Sequence, residues 1–158
     1  MSITPTRAAA WTAVILAALL VPAWGAAATR TPLVGTAHNA GLNATILVNR
    51  SGHTLYNLSA ERKGRFICTN STCLSLWHPL VVAKGTRPTG KVMLGTIRRP
   101  DGRMQVTFKG APLYTFTQDT KAGQTNGEGF KDVGVWRATT VGAAAAAPQS
   151  KPSPGYSY

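Results

Sequence analysis

The chain has 158 residues, with 17 Lys and Arg against 5 Asp and Glu, for a formal net charge of +12. Five carboxylates leave little material for paired-acid catalysis, and 16 Gly with 10 Pro interrupt the chain too often for long helices. Length and composition fit one small domain rather than several.

The N-terminus sets the compartment. Arg7 precedes an apolar run from Ala8 to Trp24, broken only by Thr12 and Pro22, and Gly25-Ala-Ala-Ala28 follows. Charged, apolar and small-residue stretches in that order predict a secretory signal peptide over residues 1–28, cut after Ala27 or Ala28. No Cys stands near the cut for lipid attachment, and no later stretch is long and apolar enough to span a bilayer. Cleavage removes only Arg7 among the charged residues, so the mature chain keeps 16 basic and 5 acidic residues, a net of +11. An extracytoplasmic protein, periplasmic or secreted, is expected.

Strand signals fill the middle of the chain. Thr45-Ile-Leu-Val48 and Thr54-Leu-Tyr-Asn-Leu58 flank Asn49-Arg-Ser-Gly52 and predict a hairpin. Cys68 and Cys73 follow; export makes a disulfide the default pairing, with redox exchange or half of a metal site as the alternatives. Leu74, Leu76 and Trp77 are spaced to share one face of a short helix after Cys73, and Trp77 to Val82 is expected to continue as strand. Further on, Val92 to Ile97 and Met104 to Phe108 flank Arg99-Pro-Asp-Gly102, where Pro fixes φ and Gly accepts positive φ. Leu113 to Phe116 and Val135 to Val141 are the last expected strands. After Val141 the chain turns to Ala, Pro and Ser, a composition without apolar period that predicts a disordered tail over residues 142–158.

These elements fall into a repeat. Gly52-His-Thr-Leu55-Tyr56 returns as Gly110-Ala-Pro-Leu113-Tyr114, each Tyr is followed five residues later by an acid (Glu61, Asp119), and Trp77 and Trp136 follow by 21 and 22 positions. The fold expected is all-β: two pseudo-equivalent antiparallel repeats, about 44–82 and 92–141, share one core within a domain over 32–141, with long Gly-rich loops. Trp77 and Trp136 are the expected core aromatics. In a strand, Leu55 and Tyr56, like Leu113 and Tyr114, face opposite sides, which places one member of each pair near solvent.

In the second repeat, Tyr114-Thr-Phe116-Thr-Gln-Asp119 has the form Tyr-x-aromatic-x-x-Asp. Arg99-Pro-Asp-Gly102 and Gln105-Val-Thr-Phe-Lys-Gly110 precede it, and Gly123, Asn126-Gly127 and Trp136 follow. Together these residues resemble the secreted-repeat, lipoprotein-like family of bacteria, over roughly residues 45–141. The resemblance implies an envelope location, two repeat units and motif positions at Tyr56, Glu61, Tyr114, Phe116 and Asp119; it names no ligand. The first unit departs from the pattern, with Leu58 at the aromatic position and Glu61 in place of Asp. Cys68 and Cys73 leading into Trp77-His78-Pro79 resemble the family's Cys-rich stretch before Trp-Pro.

Asp119 carries two readings: a turn cap for backbone N–H groups, or a Ca²⁺ ligand with Asn126 and Glu128. His53, His78, Met93 and Met104 are the residues copper or haem would use, although no pair sits at a diagnostic spacing. Two basic clusters, Arg62-Lys63-Gly-Arg65 and Arg98-Arg99 with Arg103, stand one near each repeat as solvated surface or as an anion-binding face. Export separates them from nucleic acid. No Ser–His–acid set can be assembled. The expectation is a non-enzymatic exported binding protein without cofactor or metal, meeting anionic envelope polymers or a phospholipid surface. The alternative is an extracytoplasmic redox- or metal-associated protein. With so few carboxylates to protonate, the chain is also expected to tolerate acid.

Overall fold

In the computed structural model, which describes residues 31–62 and 64–142, one short helix interrupts ten strands. In chain order these are β1 (Val34–Asn39), β2 (Ala44–Asn49), β3 (Tyr56–Leu58), α1 (Ser71–Leu76), β4 (Trp77–Pro79), β5 (Val81–Val82), β6 (Leu94–Arg98), β7 (Met104–Phe108), β8 (Ala111–Pro112), β9 (Tyr114–Phe116) and β10 (Trp136–Ala138). The expected signal peptide and the expected tail beyond Gly142 lie outside the described residues. Strands dominate and the ladders between them are antiparallel, so the all-β class holds. No described helix is long and apolar enough to cross a membrane.

Three sheets form: β1-β2, β10-β3-β9-β4, and β5-β7-β6 with β8 added on β7. The chain reaches the four-stranded sheet twice in the same way. β2 runs to a turn and a single bridge, Val48 to Thr54, and the strand then leaves its hairpin partner and joins the four-stranded sheet as β3. β7 turns through Lys109 and Gly110 into β8 and then leaves as β9. That β7–β8 turn has two central residues, both at positive φ (49° and 77°), the backbone a tight primed turn requires and Gly110 supplies without strain. The hairpin expected of Thr45–Val48 with Thr54–Leu58 therefore exists only in its first part, and β7–β8 ends as early.

Why the strands leave is visible in what they bury. Leu55 and Leu113 enter one apolar cluster with Val34, Leu47, Val106 and Phe108. Tyr56 and Tyr114 enter another with Ile46, Trp77, Phe116, Trp136 and both cysteines. Successive side chains point to opposite faces, so a strand between two cores must be apolar on both. All four residues are fully buried, which corrects the expectation that one of each Leu–Tyr pair lies near solvent. The one core expected is resolved into two clusters, and the aromatic one draws on both halves of the chain.

The registers of the four-stranded sheet correspond pair by pair. Tyr56 lies opposite Tyr114; Trp77, His78 and Pro79 lie opposite Phe116, Thr115 and Tyr114; Trp136, Arg137 and Ala138 lie opposite Leu58, Asn57 and Tyr56. Backbone bonds correspond too: Leu47 donates to Thr139 as Val106 donates to Leu80, both at 2.8 Å.

Candidate functional site

The repeat's Tyr and acid residues meet in the aromatic cluster, and they cross over. Tyr56 Oη donates to Asp119 Oδ2 at 2.6 Å, and Tyr114 Oη donates to Glu61 Oε2 at 2.6 Å. Each Tyr is thus bound to the acid of the other repeat. Because Tyr56 and Tyr114 are register partners on β3 and β9, each acid five residues downstream needs only the end of its strand and a turn to curl back over the neighbouring ring. Glu61 N–H donating to the Leu58 carbonyl at 3.0 Å closes the first such turn, and Asp119 N–H donating to the Phe116 carbonyl at 3.2 Å closes the second.

The second oxygen of each acid closes its own loop. Glu61 Oε1 accepts from the N–H groups of Ile67 and Cys68, both at 2.7 Å, and Asp119 Oδ1 accepts from Asn126 N–H at 2.9 Å. Asp119 therefore caps one backbone donor, the Asn126 N–H. The Ca²⁺ reading is not supported by the geometry: Glu128 Oε1 bonds Arg137 and its Oε2 bonds Ala138 N–H, away from Asp119. Among the described residues no three His, Cys, Asp or Glu side chains converge as a metal would need.

The two halves of the latch differ in charge. Arg99 is 2% exposed; its guanidinium donates to Tyr114 Oη at 3.1 Å, to the Cys68 carbonyl at 2.7 Å and to Gln105 Oε1. It also lies over the Phe66 ring, 5.0 Å from its centroid. This corrects the placement of Arg99 in a surface cluster: Arg98 and Arg103 are exposed, but Arg99 lies inside. Among the described residues no arginine bonds the Tyr56–Asp119 pair. Burial first, with the Asp119 carboxylate second, pushes the Tyr56 hydroxyl far above its usual range; burial and then Glu61 push Tyr114 up, against the pull of Arg99. Burial also raises the Asp119 carboxyl, opposed by its bonds from Tyr56 and Asn126 and by nearby His53. Arg99 and Gln105 were missed at the sequence level. Gln105 is fully buried and donates to the Leu113 carbonyl at 2.7 Å, because β7 is covered on both sides and its alternation carries no inside–outside signal.

Around the latch the aromatics stack. Trp77 and Trp136 lie parallel, centroids 3.8 Å apart at 6°, Phe116 stacks on Trp77 at 4.3 Å, and Tyr56 and Tyr114 meet the two indoles edge-on at 5.3 and 5.1 Å. Trp136 Nε1 donates to Asp132 at 3.0 Å, whereas the buried Trp77 Nε1 has no partner among the described residues. Cys68 and Cys73 form a disulfide with Cα atoms 5.4 Å apart, and both residues are buried in the same cluster. Of the other candidates, His38 and His78 are exposed, His53 is half-buried, and Met93 and Met104 stand at opposite ends of the β6–β7 hairpin. Nothing in the fold gathers them.

Residues 95–140 match the model of a family described as a secreted repeat of unknown function. No curated protein and no solved structure matches the chain. The match begins in β6 and ends just past β10, so it takes in Tyr114, Phe116, Asp119 and Trp136 and excludes their counterparts in the first half. A secreted-repeat description fits an exported protein, and over residues 95–140 the chain is shown to be similar to the secreted-repeat, lipoprotein-like family.

Proposed function

We propose that this chain is an exported, non-enzymatic binding module, built by doubling of one β unit, that meets anionic envelope polymers or a phospholipid surface through its cationic exterior. One observation carries the reading: three of the five acids turn inward, with Asp101 and Asp132 exposed, while the bases turn outward. Glu61 and Asp119 are buried in the latch and Glu128 is half-buried against Arg137, while every described Lys and Arg except Arg99 is exposed. A surface of that kind attracts polyanions without needing a shaped pocket. The matched registers and backbone bonds of the two halves support the doubling. The oxygens of the motif acids and hydroxyls are taken up by one another and by backbone N–H groups, which supports a locking role for the motif rather than a catalytic one. Signal-peptide cleavage and release to the periplasm or medium belong to the same reading.

Vesicle sedimentation tests it. Mature protein should bind vesicles containing anionic lipid, or a soluble anionic envelope polymer, and lose most of that binding as salt rises from roughly 0.05 to 0.5 M, where the screening length shrinks severalfold. Binding to neutral vesicles at equal strength, or no binding to either anionic target at low salt, rejects the proposal.

A further inference from the structure

The first strands of the two hairpins carry one motif: Leu33-Val34-Gly35-Thr36 at β1 and Met93-Leu94-Gly95-Thr96 at β6. Their hairpin partners continue alike, Leu55 N–H donating to the Leu47 carbonyl at 2.9 Å and Leu113 N–H to the Val106 carbonyl at 3.0 Å. At β1 the outer edge of such a strand accepts an extended segment in parallel. Val34 N–H donates to the Thr89 carbonyl at 3.0 Å, and Val34 bridges Gly90.

The outer edge of β6 presents the same groups and pairs with no strand among the described residues. Val106 donates its N–H to Leu80 and accepts from Leu113, so both of its backbone groups turn away from β6. Thr96 lies opposite Val106, and the alternation of an antiparallel ladder turns the N–H and carbonyl groups of Leu94, Thr96 and Arg98 outward. A row of such groups is a template for one more strand. Beside it the sheet has a gap. Gly95 brings no side chain, and a Cβ there would meet Thr107 Oγ1 at 2.9 Å. A groove of about 540 Å³ opens between residues 93–95 and 107–110, and Met93 on its wall is 93% exposed.

The charge around this edge has one sign. Lys109 lines the groove, and Lys91 and Arg98, both exposed, stand toward the two ends of β6. The ion pairs among the described residues join Arg99, Arg103 and Arg137 to Asp101 and Glu128, and none takes up Lys91, Arg98 or Lys109. We propose that β6 is a docking edge for an extended acidic segment of a partner protein, added in parallel as Thr89 and Gly90 are added to β1. The segment's backbone pairs with Leu94, Thr96 and Arg98, one apolar side chain enters the groove against Met93, and its carboxylates meet the three bases. Charge selects this occupant over a second copy of the chain, because two β6 edges would set these bases against their own kind. The assignment needs backbone pairing at one strand, so it stands apart from what the rest of the basic exterior binds.

A labelled peptide of alternating valine and glutamate, about eight residues long, tests this on mature protein. Fluorescence anisotropy should show saturable binding, and amide exchange at Leu94, Thr96 and Arg98 should slow about tenfold or more at saturation. Gly95 and Ile97, whose N–H groups turn inward to β7, should keep their rates. Thr96→Pro removes one outward donor at an edge position, where proline is tolerated, and should cut affinity about tenfold. Lys109→Glu and Arg98→Glu, at exposed side chains, should each weaken binding severalfold, which keeps the assignment open to failure if the proline variant does not fold. Absence of saturable binding overturns the proposal. Equal binding by the same peptide with its backbone N–H groups methylated overturns it too, leaving only adherence to surface charge. Protection of β6 that appears without peptide, as the protein dimerises on concentration, overturns it by assigning the edge to a second copy.

Discussion

Tyr56 and Asp119 show what a single contact contributes here. Removing the hydroxyl in Tyr56→Phe leaves Asp119 Oδ2 buried without its donor, and a buried acceptor left unsatisfied costs about 1–3 kcal/mol. Tyr114→Phe strips a partner from both Glu61 and Arg99, although Arg99 keeps its bonds to Gln105 and the Cys68 carbonyl. Both variants should unfold at lower urea. A double-mutant cycle between Tyr56→Phe and Asp119→Asn should give a coupling of about 0.5–3 kcal/mol, as for residues in one network. Additive effects would mean that the short Tyr–carboxylate contact does not hold the halves together.

At the scale of elements, the segment between Glu61 and Trp77 has little regular structure, so it depends on clamps. Asn70 caps α1 by accepting from Cys73 N–H at 2.9 Å, Glu61 holds Ile67 and Cys68, Arg99 holds the Cys68 carbonyl, and the cystine closes the loop. A helix of six residues does not stand alone in water. Cys68→Ala with Cys73→Ala should lower stability by about 2 kcal/mol, the loop-closure figure for so short a ring. Since Cys68 is 0% and Cys73 8% exposed, mild reductant should liberate thiols only as fast as the protein opens, a rate that thiol titration against time reads directly. Rapid release from folded protein would favour the redox alternative.

For the whole molecule, the buried latch sets the response to pH. Asp119, raised by burial, holds its proton more tightly folded than unfolded, so its contribution is fully present below its ordinary 3.8 and is lost as pH rises through the folded value. Tyr56 and Tyr114 follow the same sign: their contribution is complete below 10.0 and is lost in alkali, where the unfolded chain ionises first. Asp101 opposes them. Bonds from Arg103 lower it to about 2, so its stabilisation fades as pH falls toward that value, but its side chain is open to solvent and screening keeps the effect small. Circular dichroism should therefore show structure intact at about pH 4 and failing first on the alkaline side, above roughly pH 10. Loss of structure near pH 4 would contradict this order.

Much of this was legible in the chain. Strand class, the two tyrosines with their acids and tryptophans, the cystine and the Asp101 turn follow from local composition and spacing, because turn chemistry and side-chain period act over a few residues. β1 was missed, although Val34-Gly35-Thr36 anticipates Leu94-Gly95-Thr96 and could have revealed it. What the tertiary structure alone decided is which acid each tyrosine meets, that Arg99 lies inside, and that adjacent Leu and Tyr are both buried. Those outcomes depend on strands far apart in sequence pairing so that each is covered on both faces, and no residue's own neighbours in the chain record which partner will lie across the sheet.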